Sequence, residues 1–117
     1  MPNSTSNRHC VVFITAASSD QAQAIATKLV EDRLVACAQL LPPMQSIFRW
    51  QGKISRETET LIVAKSLEGR VEQIVEAVKR IHTYEVPEII ALPILGGSPD
   101  YLRWVDEALA EGPCPMP

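Results

Sequence analysis

Apolar positions recur with two different periods along this chain, and the switches between them mark its elements. Residues 10–16 (CVVFITA) form a short run rich in β-branched side chains, which predicts a buried strand. Ser18, Ser19 and Asp20 then supply helix-capping side chains. Beyond them Ala22, Ile25, Ala26, Leu29 and Val30 recur at helical spacing, so a helix over residues 20–33 buries one face. Residues 34–41 (LVACAQLL) are apolar in both alternating registers and predict an interior strand. Pro42 and Pro43 interrupt it, because proline donates no ladder hydrogen bond. Extended character resumes over residues 44–50, and Gln51 with Gly52 makes a tight turn. A second strand over residues 53–65 is polar in its first half and apolar in its second. That contrast predicts a hairpin with a buried base and an exposed tip.

The clearest helical stripe follows: Val71, Ile74, Val75, Val78 and Ile81, with charged residues on the other side. This helix ends near His82, ahead of Pro87. Residues 89–95 (IIALPIL) predict a last strand, and Pro93 places it at an edge or a bulge. Ser98 and Pro99 start a final helix, whose apolar face is Tyr101, Trp104, Val105 and Ala108. The order β-α-β-β-α-β-α predicts an α+β fold. It is a ferredoxin-like split βαβ sandwich with an extended hairpin and an added C-terminal helix. Residues 1–9, His9 among them, are expected to be a disordered tail; residues 10–111 form the single domain, and residues 112–117 an irregular tail.

Length adds a constraint. At 117 residues the chain suits one domain, with a radius of gyration near roughly 13 Å. If residues 34–50 are one interrupted strand, they span roughly 55 Å at about 3.3 Å per residue. The hairpin therefore overhangs its own domain while carrying Ile47, Phe48 and Trp50. An isolated hairpin is marginal in water, so a neighbouring copy is expected to cover it.

Composition narrows the function. The net charge is −3 and the eleven basic residues are scattered, which argues against nucleic-acid binding. No apolar run reaches the about 18 residues of a membrane span, and residues 1–9 lack the apolar core of a signal peptide. The three cysteines, at 10, 37 and 114, are odd in number and show no Cys-x-x-Cys spacing. A disulfide framework or structural zinc is not expected, and a reducing cytoplasm is. The usual nucleophile-elbow, zinc-helix, phosphate-loop and dinucleotide motifs are missing, so the chain is read as a non-enzyme.

Two segments carry a resemblance. The first is LVACAQLLPPMQSIFRWQGKI, residues 34–54; the second is HTYEVPEIIALPI, residues 82–94, followed by Tyr-Leu-Arg-Trp at 101–104. In this order, and with this sequence of elements, the chain resembles the CutA divalent-cation-tolerance family over about residues 10–110. The resemblance implies a ferredoxin-like subunit, a homotrimer, and an association with tolerance of divalent metal ions. It also implies architectural kinship with PII signalling proteins, so a PII-like signalling or scaffold module is the alternative. No cofactor is obligatory; Cu(II) or another divalent cation is the implied ligand. One departure is Thr83, where the family pattern has proline. Further departures are Ile81 and Ile14, which leave the surroundings of His82 poor in additional nitrogen or sulfur donors.

Candidate residues divide accordingly. His82 is the one histidine expected in an ordered segment, and the metal assignment is His82 with Glu85. Its competing role, and the one the residue type favours, is closing its helix by hydrogen bonding. A transition metal takes roughly three or four donors, so one histidine is not a site. An enzymatic alternative would use His82 with Glu85 or Glu88 as an acid–base pair. Cys37 and Cys10 read either as small buried hydrophobes or as soft ligands, and Cys114 as an exposed thiol. Cys37, Trp50, Glu59, Lys65, Tyr84 and Glu88 are the residues assigned to a ligand-binding cleft between subunits. For Trp50 the competing role is simple interface packing.

Overall fold

The computed structural model describes residues 8–110 and turns the two periods into five strands and three helices. In chain order these are β1 (His9–Ala16), α1 (Ser19–Glu31), β2 (Cys37–Leu40), β3 (Met44–Trp50) and β4 (Lys53–Leu67). A 3-10 turn at Glu68–Arg70 leads into α2 (Val71–Ile81), β5 (Ile89–Pro93) and α3 (Pro99–Ala108). All strand pairs are antiparallel, and the sheet runs β2-β4-β1-β5 with β3 continuing along β4 beyond β2. This is the ferredoxin-like plan expected from the element order.

Strand alternation decides which side chains meet the helices. Cys10, Val12 and Ile14 of β1 and Ile62 and Ala64 of β4 lie buried with Ala22, Ile25 and Leu29 of α1 and Ile74, Ala77 and Val78 of α2. Among the described residues the opposite sheet face is covered only at one end, where Val105 and Leu109 pack with Leu67 and Ala36. Along the rest of that face the side chains of Val11, Phe13, Leu61 and Val63 are half-buried, and Ile90 and Leu92 are exposed.

Several boundaries differ from expectation. His9 is not part of a tail: it opens β1, pairs with Leu67, and its Nε2 lies 2.9 Å from Asp106 Oδ1 of α3. Residues 34–41 do not form one interior strand. Leu34 and Val35 are in the turn after α1, buried in the core, and β2 is a four-residue edge strand. Arg33 turns the chain there with φ 57, and the Leu34 N–H donates to the Leu29 carbonyl. Burial, not strand pairing, explains the apolar character of Leu34 and Val35. β5 sits at the other edge, as Pro93 requires. Residues 1–7 and 111–117, including Cys114, lie outside the described residues.

The hairpin is present, with β3 and the first half of β4 paired from Met44↔Glu59 to Trp50↔Lys53. Gln51 (φ 50) and Gly52 (φ 81) both take positive φ, as a two-residue type I′ turn demands. Left-handed backbone costs a non-glycine residue roughly 1–2 kcal/mol, so Gln51 is strained to match the twist of the strands. The described molecule has principal extents of 42 × 34 × 30 Å and a radius of gyration of 14.7 Å, above the roughly 13 Å of a compact chain of this size. The projection is real but shorter than a straight strand would give, because the chain turns at residues 33–36.

Arg70 locks α3 to the rest. Its guanidinium donates to the Arg33 carbonyl, at 2.7 Å, and to the Leu109 carbonyl, at 2.7 Å. These are the chain ends following α1 and α3, where unpaired carbonyls and the negative ends of the dipoles gather. Arg70→Ala strips both acceptors of their donor and should cost about 1–3 kcal/mol. Hydrogen exchange should show α3 amides opening first while those of β1 and β4 keep their protection. Unchanged protection in α3 would show that the small cluster around Val105 holds the helix alone.

Candidate functional site

The assigned cleft residues fall into two groups that one chain brings together, and one residue that it does not. On the uncovered sheet face, Cys37 of β2 is the register partner of Lys65 of β4. The Lys65 ammonium donates to the Gln39 side-chain carbonyl. Cys37 Sγ lies 3.5 Å from the Tyr101 hydroxyl of α3. That contact with Cys37, together with desolvation, pushes the Tyr101 phenol up to about 12. Tyr101, expected only on the apolar face of the last helix and in the Tyr-Leu-Arg-Trp word, and Gln39 join this group through the structure.

The second group lies further along β4. Glu59, the last residue of the hairpin half, is only 7% exposed. The Tyr84 hydroxyl donates to its carboxylate, and desolvation, that hydrogen bond and the charges of Glu59 and Glu57 push the phenol up to about 12. Glu59 and Lys65 share one face of β4 but stand six residues apart, roughly 20 Å along a strand.

The segment after α2 places Tyr84. His82 caps α2, and its ring is held at both nitrogens. Nδ1 accepts from the Tyr84 backbone N–H at 3.0 Å. Nε2 must therefore carry the proton, which it donates to the Thr15 carbonyl at 2.7 Å. The two rings also touch, with centroids 4.7 Å apart. The Thr15 N–H in turn reaches the Glu88 carbonyl at 3.4 Å, so both backbone groups of Thr15 are clasped by this one segment. Thr83, the departure from the family pattern, is itself bonded: Gln21 Nε2 donates to its hydroxyl at 2.9 Å. The same Gln21 accepts the Ala17 N–H at 2.8 Å.

The remaining assignments stand apart. Trp50 is at the hairpin tip, opposite Lys53 and 41% exposed, and this chain brings it to neither group. The Glu85 and Glu88 side chains are exposed. Among the described residues no three His, Cys, Asp or Glu side chains gather in a metal-binding group. His82 would have to give up a hydrogen bond to coordinate through either nitrogen, and the same holds for service as an acid–base group. The described residues of one chain thus do not by themselves fit a Cu(II) ion. Cys10 and Cys37 are free thiols. Burial, with Glu68 nearby, pushes Cys10 up to about 11 and makes it unreactive.

The Tyr84 and Glu59 contact is open to direct measurement. Glu59→Gln removes the carboxylate charge, which should lower the Tyr84 titration from about 12 toward 10, while the larger desolvation contribution remains. Ultraviolet titration in a Tyr101→Phe background reads it out. The sign for stability also follows. A phenol raised from 10 to about 12 holds its proton longer in the folded state, so wild-type stability should be intact below pH 10 and fall between 10 and about 12. An unmoved Tyr84 titration in Glu59→Gln would break the pairing.

Relatives agree with this architecture. The sequence profile described as CutA1 divalent ion tolerance protein matches residues 10–108. The divalent-cation tolerance protein CutA of Thermus thermophilus is 44% identical over 97 residues, covering 83% of this chain and 94% of that protein. Its solved structure superposes with a TM-score of 0.84, covering 86% and 97%. A structure from Archaeoglobus fulgidus, described as a periplasmic divalent cation tolerance protein CutA, superposes with a TM-score of 0.83 at 37% identity, covering 86% and 97%. Mouse protein CutA is 42% identical over 95 residues, 81% of this chain, but the match spans only 54% of the mouse protein. By sequence and by fold, the chain belongs to the CutA1 divalent ion tolerance family.

Proposed function

We propose that the chain acts as a cytoplasmic homotrimer that supports tolerance of divalent ions by binding, without catalysis, a divalent cation or small ligand between its subunits. The observation that carries this reading is the uncovered apolar surface. Helices α1 and α2 cover one sheet face, but Phe13, Leu61, Val63, Ile90 and Leu92 line the other, beyond the reach of α3. The hairpin adds exposed Phe48 and Trp50. Apolar surface of this kind marks an interface, and the names of the relatives supply the link to divalent cations. Free Cys10 and Cys37 suit a reducing compartment.

Assembly would also complete the cleft. A neighbouring hairpin can bring Trp50 to the Tyr84 and Glu59 pair or to Cys37 and Lys65, giving an aromatic wall with both charge signs. Metal donors, too, have to come from more than one subunit.

Native mass spectrometry of the purified protein tests this. Wild type should appear at three times the 12.9 kDa chain mass, together with any retained ligand. Trp50→Ala should dissociate at higher concentration and melt at lower temperature, since assembly and folding are linked. A folded monomer at micromolar concentration would defeat the proposal. For the metal, Cu(II) should bind wild type weakly and His82→Ala more weakly. The wild-type affinity should fall between about pH 7.5 and about pH 5.5, as imidazole coordinates only when neutral, and His82→Ala should lose most of that pH dependence. Equal affinity of the two proteins by calorimetry would remove His82 from the ligand set.

A further inference from the structure

One face of the outer hairpin carries two apolar and two cationic side chains in a fixed array. The register sets Ile47 opposite Arg56 and Ile54 opposite Arg49, so like groups lie on the diagonals. All four are exposed, Ile47 by 59% and Ile54 by 55%. Among the described residues neither arginine forms an ion pair. The chain as a whole is acidic, so two unpaired guanidiniums between bare isoleucines fit a surface that is both anionic and apolar.

The chain itself presents such a surface. Glu85 and Glu88 are exposed on either side of Val86, which is 68% exposed. Neither carboxylate is ion-paired among the described residues. The segment is held in shape by the His82 and Glu88 bonds to Thr15, so little ordering is left to be lost on docking.

We propose that Arg49 and Arg56 of one subunit pair with Glu85 and Glu88 of the next, with Ile47 and Ile54 closing over Val86. This rests on the trimer reading and names a contact that holds it. The two surfaces are different parts of the molecule, so the contact is heterologous and closes into a ring by rotation. A two-fold contact of hairpin with hairpin would gather four guanidiniums on these faces with no carboxylate between them. A two-fold contact of loop with loop would oppose glutamate to glutamate. The charge pattern thus selects against the commonest competing symmetry.

Charge exchange tests the pairing. The proteins compared are wild type, R49E/R56E, E85R/E88R, and the chain carrying all four changes, each by native mass spectrometry and sedimentation across a dilution series. Each double variant should need at least roughly tenfold more protein for half-assembly. The fourfold variant should return to within about threefold of wild type, because attraction is restored with reversed sign. The milder R49Q/R56Q should stay folded by circular dichroism and show a weaker salt dependence of dissociation than wild type. Double variants that assemble like wild type, or a fourfold variant no tighter than either double, would overturn the pairing and leave the trimer standing. Arginines 49 and 56 that react with phenylglyoxal in the wild-type trimer as fast as in unfolded chain would overturn it too, leaving that face to an acidic partner. A monomeric wild type would remove the trimer reading, and this contact with it.

Discussion

Backbone pairing along β4 is the constraint on which the rest of the molecule depends. Fifteen residues in one strand serve three partners: β3 along Lys53 to Glu59, β2 along Ile62 to Lys65, and β1 along Thr60 to Leu67. Its inner half has neighbours on both sides and is largely buried; its outer half has only β3 and is largely exposed up to Thr58. Because side chains alternate strictly along a strand, this single ladder also decides that Glu59, Leu61, Val63 and Lys65 share the uncovered face. A slip of one residue would send Lys65 into the helices and Ile62 and Ala64 out of them.

The two prolines act on this ladder without breaking it. Pro42 and Pro43 cannot donate, yet Leu41 still donates to the Leu61 carbonyl, and pairing resumes at Met44↔Glu59. The interruption divides one edge into β2, which belongs to the domain, and β3, which belongs to the projection. It falls beside Glu59, where the sheet leaves the cover of α1 and α2. The same stretch is therefore the root of the hairpin, beside the Glu59 that Tyr84 meets.

What could be read from the sequence followed periodicity. The stripe of α2, the polar and apolar halves of β4, the Gln51 and Gly52 turn and the capping Ser18 are local patterns, and each formed where it was expected. Errors came where an apolar run had a tertiary cause. Leu34 and Val35 read as strand because they are buried, yet they are buried in a turn. His9 read as tail because the residues before it are polar, although Leu67 and Asp106, both distant in sequence, hold it in β1. The cleft was legible only in part for the same reason. Cys37 with Lys65, and Glu59 with Tyr84, meet through register and loop placement that no local pattern encodes. The resemblance to a family supplied their names but not their partners.

Thr83 shows how a departure from a family pattern is absorbed by its surroundings. A proline at this position would restrict the backbone after α2 and remove a donor. Threonine leaves the backbone freer but adds a hydroxyl, which accepts from Gln21 of α1. Gln21 is already committed to the Ala17 N–H, so the loop is tied to a side chain that the start of α1 orients. His82 and Glu88 fasten the segment to Thr15, and Tyr84 reaches Glu59 from between them. Hydrogen bonds to Gln21 and to both backbone groups of Thr15 thus restrain the segment in which Thr83 stands where the family pattern has proline. They converge on the first turn of α1 and the end of β1, so the presentation of Tyr84 depends on α1 as much as on its own loop.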